Sequence, residues 1–156
     1  AGVAAGGTTG LLLAGAKPDL SRFEAYCAKR PDDHSFCEAE GKIRTDRPDL
    51  APQADPRISA YVLMAPLSVI FGAETLKSVT APTLIYVGDQ DGELSPQENA
   101  VALALELPKA QLKVTYKAGY FTSLSPCLEE LTKLVAGSCI DNIGIGRTAL
   151  HQRTNA

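Results

Sequence analysis

Thr83-Leu-Ile-Tyr-Val87, followed by Gly88-Asp-Gln-Asp-Gly92, is the stretch on which the reading of this chain turns. Five residues of high β propensity, apolar at odd and even positions alike, suit a strand buried on both faces, and burial on both faces belongs to parallel sheets. The Gly- and Asp-rich continuation ends the strand in a turn. Two other stretches have the same form. Ile58-Ser-Ala-Tyr-Val-Leu-Met-Ala-Pro66 is an apolar run stopped by proline, and Leu112-Lys-Val-Thr-Tyr116 runs into Ala118-Gly119. Helical spacing fills the gaps, at 74–79 and at 96–107, the latter with Pro96 at its start. The order is β-α-β-α-β, which predicts an α/β fold of three parallel strands with flanking helices.

Outward from this unit, the first segment reads AGVAAGGTTGLLLAGA. Gly6-Gly7 suggest a tight turn, and Thr8 or Thr9 could cap a small-residue helix through Leu11, Leu12 and Leu13. Residues 17–57 differ in kind, with Pro18, Pro31, Pro48, Pro52 and Pro56, many charges and two cysteines. Leu20, Phe23 and Tyr26 have helical spacing, so a short helix is expected to end near Pro31; the rest predicts an irregular, cap-like insertion. Beyond the third strand, 128–135 and 147–153 predict two further helices. The whole is expected to form a single domain.

Composition bounds the function. The chain has 156 residues, 15 Lys+Arg against 18 Asp+Glu and a net charge of −3. That balance argues against a nucleic-acid binder, which shows a basic face. No apolar run reaches the ~20 residues of a membrane span. The chain opens on Ala1 rather than Met, so it is expected to be a processed product or an excerpt. Four cysteines fall in two local pairs, Cys27 with Cys37 and Cys127 with Cys139. This pattern points to two short disulfide loops in an oxidising compartment, hence a periplasmic or secreted protein; four buried thiols in a cytosolic protein is the alternative.

Ligand-binding patterns are weak. Cys27, His34 and Cys37 lack an evident fourth zinc ligand. Asp89, Asp91 and Glu93 read as a solvated turn rather than a cation site. Gly144-Ile-Gly146-Arg-Thr-Ala149 has the form of a dinucleotide fingerprint without a convincing preceding strand. No metal and no cofactor are expected. His34 reads as a solvated or packing side chain and His151 as a surface one.

Three segments should lie beyond the carboxyl ends of the strands, where α/β sheets place their chemistry. Gly88-Asp-Gln-Asp91…Pro96 resembles the acid loop of the α/β hydrolases, and Ala118-Gly119-Tyr120-Phe121 resembles their Ala-Gly-His loop. Ala5-Gly6-Gly7 before a small-residue helix is similar to the end of their nucleophile elbow, Gly-x-Ser-x-Gly-Gly, and the loops follow in the hydrolase order. More closely, the chain resembles the C-terminal half of the bacterial predicted dienelactone hydrolases. Cys27-x-x-x-Pro-Asp-Asp-His-Ser-Phe-Cys37, Asp55-Pro-Arg-Ile58, 121–127 and 139–155 all take part in the likeness.

The resemblance implies a partial hydrolase-type sheet and hydrolysis of a small carboxylic ester or lactone by a Ser nucleophile, a His base and an orienting Asp. Only Asp91 fits. Aligned without a gap, Ala4 stands where Ser should be; with a gap, Gly2-Val3-Ala4 ends the preceding strand and the Gly-x-Ser tripeptide is missing. Tyr120 stands where His should be. Alanine has no attacking atom, and a phenol is a poor base at neutral pH. The N–H near Ala5 could still offer an oxyanion hole. The implied protein is a hydrolase-like domain inactive as it stands, the alternative being a non-catalytic binding or interaction protein on the same fold. Its expected partners are the absent N-terminal half, or a second copy along the open sheet edge, with no nucleic acid and no membrane.

Overall fold

The computed structural model describes residues 1–38, 51–139 and 144–154. Its centre is a parallel sheet of four strands in the order β1-β2-β3-β4: β1 (Gly2–Val3), β2 (Tyr61–Met64), β3 (Thr83–Gly88) and β4 (Ala110–Thr115). The three expected strands are present, and a fourth is added at the edge. Gly2 and Val3 pair with Leu63 and Met64, so the segment read as a turn begins as a strand. Two residues are too short for periodicity to register.

Around the sheet lie α1 (Ala5–Leu13), α2 (Leu20–Lys29), α3 (His34–Cys37), α4 (Ala73–Leu76), α5 (Ala102–Glu106), α6 (Glu129–Leu134), α7 (Ala136–Cys139) and α8 (Arg147–Thr154). A π-helical turn, Gln97–Val101, leads into α5. Helix α1 starts ahead of Gly6-Gly7, not behind them. Thr8 and Thr9 are therefore interior rather than caps: the Thr8 hydroxyl donates to the Leu67 carbonyl at 2.6 Å and that of Thr9 to the Ala5 carbonyl at 3.1 Å.

The strands are not buried on both faces. Along β2 and most of β3 buried and half-buried residues alternate. Tyr61, Leu63, Ile85 and Val87 point into the main core with Leu11, Phe71, Leu76, Val79, Leu103 and Leu107. The opposite face, with Val62, Met64, Leu84 and Tyr86, is half-buried. Apolar residues on that face led the sequence reading to two-sided burial, and the side chains over them leave it partly open.

A smaller core sits under α2. Phe23, Tyr26, Cys27 and Val69 are buried there, and Phe36 meets the Phe23 and Tyr26 rings edge-on at 4.9 and 5.5 Å. Asp19 caps α2 by accepting from the Ser21 N–H at 3.0 Å. Cys27–Cys37 and Cys127–Cys139 are both disulfides, so the paired alternative holds, and Cys27 and Cys37 are not metal ligands. Residues 39–50 of the expected cap lie outside the described residues; what is seen is a disulfide-bounded segment, not a Pro-rich cap. Among the described residues no helix is long and apolar enough to cross a membrane.

The loops after β3 and β4 interlock. The Gln90 N–H donates to the Ala118 carbonyl at 3.0 Å, and the Ala118 N–H to Asp89 Oδ1 at 3.3 Å. A Cβ at Gly88 would lie 2.1 Å from the Ala118 carbonyl oxygen, so only glycine lets the loops touch. Gly88→Ala is expected to cost about 1–3 kcal/mol through this overlap, read as a lowered urea midpoint; an unchanged midpoint would show that the loops part freely.

Candidate functional site

Ala4 links β1 to α1, and its backbone is strained. It has φ 50° and ψ −117°, a conformation alanine rarely adopts. Four hydrogen bonds hold it there. The Ala4 N–H donates to the Met64 carbonyl at 3.1 Å, while its own carbonyl accepts from the N–H groups of Gly7, Thr8 and Leu67 at 2.8, 3.3 and 3.1 Å. The first bond extends the β1–β2 ladder; the next two start the helix. Chain direction reverses within one residue, which requires close approach two residues earlier. A Cβ at Gly2 would lie 2.2 Å from the Gly6 carbonyl oxygen. The strand ends at Val3, and Ala4 occupies the sharp turn.

What Ala4 presents is a half-buried methyl group. The next residue, Ala5, is exposed at the first position of α1, and its N–H has no intrahelical acceptor. The turn after β2 braces this elbow. Ala65 also has positive φ, at 42°, and Leu67 binds the Ala4 carbonyl. Asn99 supports that turn from the π-helical segment, accepting from the Ser68 N–H at 2.8 Å. Asn99 was not singled out from the sequence, since nothing local marks a buried amide that reaches thirty-one positions back.

Asp91 follows β3 and is 6% exposed. Its Oδ1 accepts from the N–H groups of Glu93 and Leu94 at 3.0 and 2.8 Å. Among the described residues, its buried Oδ2 has no hydrogen-bond partner. Burial pushes the carboxyl pKa above its ordinary 3.8, against the lowering effect of those two N–H donors. An acceptor so placed lacks a donor.

Tyr120 opens a 3₁₀ turn, Tyr120–Ser123, after β4. Burial, and then the charges of Asp91 and Glu93, raise its pKa, so the phenol is neutral at pH 7 and is not a base. The structure thus puts Tyr120 within the electrostatic reach of Asp91, although neither donates a proton to the other. Ser123 Oγ donates to the Tyr120 carbonyl at 3.4 Å, and Ser95 offers its carbonyl to Asn99; neither serine sits on an elbow.

The carboxyl ends of the four strands meet at one cavity of about 590 Å³. Val3, Ala65, Gly88 and Tyr120 border its upper end; Val62, Leu84 and Tyr86 of the half-buried sheet face form its floor. His151 belongs to the wall, and this corrects the expectation of a surface side chain: it is half-buried with Nε2 3.0 Å from the Leu124 carbonyl oxygen. Asp91 itself borders a separate, polar hollow of about 500 Å³ with Arg30, Asp32, Asp33, Asp89 and Glu93. Among the described residues no cluster of His, Cys, Asp and Glu is arranged to hold a metal ion. No family model matches the sequence, and no curated protein matches it.

Two outcomes follow for stability. Ala4→Gly is expected to stabilise the fold by about 1 kcal/mol, because the strain released exceeds the entropy added to the unfolded chain; a loss of stability on chemical denaturation would contradict the strained turn. For Asp91, a folded pKa above the unfolded one means that the folded chain binds more protons between the two values, so stability falls as pH rises through that interval. The stability of Asp91→Asn relative to the parent should therefore climb from low pH to neutral in urea titrations, and a pH-independent difference would refute the shift.

Proposed function

We propose that this chain is an α/β-hydrolase-type domain, similar to the bacterial dienelactone hydrolases, whose parent chemistry is hydrolysis of a carboxylic ester or lactone and whose own triad is incomplete. The observation that carries the reading is Ala4. A non-glycine residue held at φ 50° between a parallel strand and a helix is where that chemistry needs its nucleophile, and the residue is alanine. Asp91 supports it: among the described residues its buried Oδ2 lacks a donor, as an acceptor for an imidazole N–H would where no imidazole stands. The Ala5 N–H, at the positive end of α1, is the group that would hold an oxyanion.

The chain by itself then binds rather than hydrolyses. Acyl transfer needs an oxygen nucleophile and a base within hydrogen-bond reach; a methyl group and a neutral phenol are neither. The cavity beside Tyr120, floored by Val62, Leu84 and Tyr86, favours the second reading, a non-catalytic binding protein for an ester, a lactone or a related small molecule with an apolar body. Both readings share a periplasmic or secreted setting, supported by the two disulfides. Both also leave the sheet edge at β1 to be completed by an N-terminal half or by a second copy.

Turnover of p-nitrophenyl acetate separates the readings. The parent chain and Ala4→Ser alone are expected to show background rates. Ala4→Ser/Tyr120→His is expected to gain activity and to be labelled by a fluorophosphonate at position 4, and adding Asp91→Asn should reduce that activity. Ester hydrolysis by the parent chain, lost on Asp91→Asn, would overturn the inactive assignment. A folded double variant that resists the probe would overturn the hydrolase scaffold.

A further inference from the structure

We propose that Cys127–Cys139 is an exchangeable disulfide, a site of thiol modification in which Cys139 takes the incoming sulfur and Cys127 departs as the thiolate. The two disulfides differ in setting. In the first, Cys27 is 3% exposed, packed in the smaller core with Phe23 and Tyr26, and its partner Cys37 is half-buried at the edge of that core. Cys127 and Cys139 are half-buried, and they close a surface loop whose Leu128 and Leu134 are 78% and 81% exposed. Exchange requires a thiolate to reach a sulfur in line with the S–S bond, and in the surface loop both cysteines are half-buried where the first disulfide has one fully buried.

The second difference is a buried charge. Arg147, 4% exposed at the start of α8, spans both arms of the loop. Its Nη1 donates to the Ser125 carbonyl at 3.3 Å and lies 3.7 Å from Cys127 Sγ; its Nη2 donates to the Ser138 carbonyl. A guanidinium stays charged across the working pH range and stabilises an adjacent thiolate. Among the described residues, Arg147 lies against Cys127 Sγ on one arm and against the Ser138 carbonyl on the other. Exchange is faster when the leaving thiol has the lower pKa, so this asymmetry sets the direction of attack.

The chemistry balances as follows. A small thiolate forms a new S–S bond to Cys139 Sγ, the Cys127–Cys139 bond breaks, and Cys127 keeps the electron pair beside Arg147. A second thiolate then displaces the mixed disulfide: Cys139 is released, the two small thiols end as a disulfide, and the protein has gained two electrons. The arm carrying α6 and α7 is then no longer closed by a covalent bond.

The test treats the oxidised protein with reduced glutathione, quenches with N-ethylmaleimide and maps the peptides by mass spectrometry. The expected result is glutathione on Cys139, maleimide on Cys127, and Cys27–Cys37 intact, with the first disulfide opening at least about tenfold faster than the second. Arg147→Gln should spread the adduct over both sulfurs. In Cys139→Ser, Cys127 should alkylate with a midpoint well below the ordinary thiol pKa of about 8.5. Glutathione found mainly on Cys127, equal opening of the two disulfides, or an ordinary alkylation midpoint would each overturn the proposal. Should Cys139→Ser not fold, the adduct position in the unaltered chain still decides.

Discussion

The backbone of Ala4 is the constraint on which the site is built. One residue ends the β1 ladder through its N–H and begins α1 through its carbonyl, while the same carbonyl anchors the turn after β2 at Leu67. Strain of order 1–3 kcal/mol persists only where the surroundings over-determine the conformation. Here a parallel ladder, a helix and a neighbouring turn all converge on one peptide unit. The conformation is thus set by its backbone partners and not by anything the methyl side chain contributes.

Around this point the molecule divides into a covered side and a partly open side. The main core fills one face of the sheet, and the helices on it are kept close by small residues such as Ala14, Ala16 and Ala100. The other face carries Val62, Met64, Leu84 and Tyr86 under a cover of the 120–125 segment and α8. Apolar side chains with a thin polar lid make a hollow rather than a core. The position of the hollow, below Tyr120 and next to Val3, ties it to the strand ends instead of to an arbitrary patch of surface.

Much of this was legible in the residues. The runs at 83–87 and 112–116 showed their strands because β-branched and aromatic residues alternate with little interruption, and Asp91 could be placed from the glycine and aspartate turn that follows. Pairing of the cysteines was legible from their spacing, as one of two alternatives. Other features were hidden for definable reasons. Gly2-Val3 is a strand because Leu63 and Met64 lie beside it, so no local periodicity reveals it; only the resemblance offered it, as one of two alternatives. Helix α1 begins on alanine and two glycines, the reverse of normal capping, because tertiary bonds to Ala4 replace the missing cap. Arg147 reads as an ordinary helical arginine until the two arms of the disulfide loop close over it. His151 was assigned to the surface because the partner that half-buries it, the Leu124 carbonyl, lies twenty-seven residues away.

The contact between Gly88 and Ala118 has a mechanical implication. Two loops joined by a backbone-to-backbone contact and two hydrogen bonds behave as one rigid ledge, not as a pair of independent fingers. The groups they carry, a carboxylate on one and a phenol on the other, keep their mutual distance whatever enters the hollow beneath. Adaptation to a guest must come from the flank formed by α8, which meets the 124–125 backbone through the side chains of Arg147 and His151, so shape selection here operates by yielding on one flank against an unyielding one.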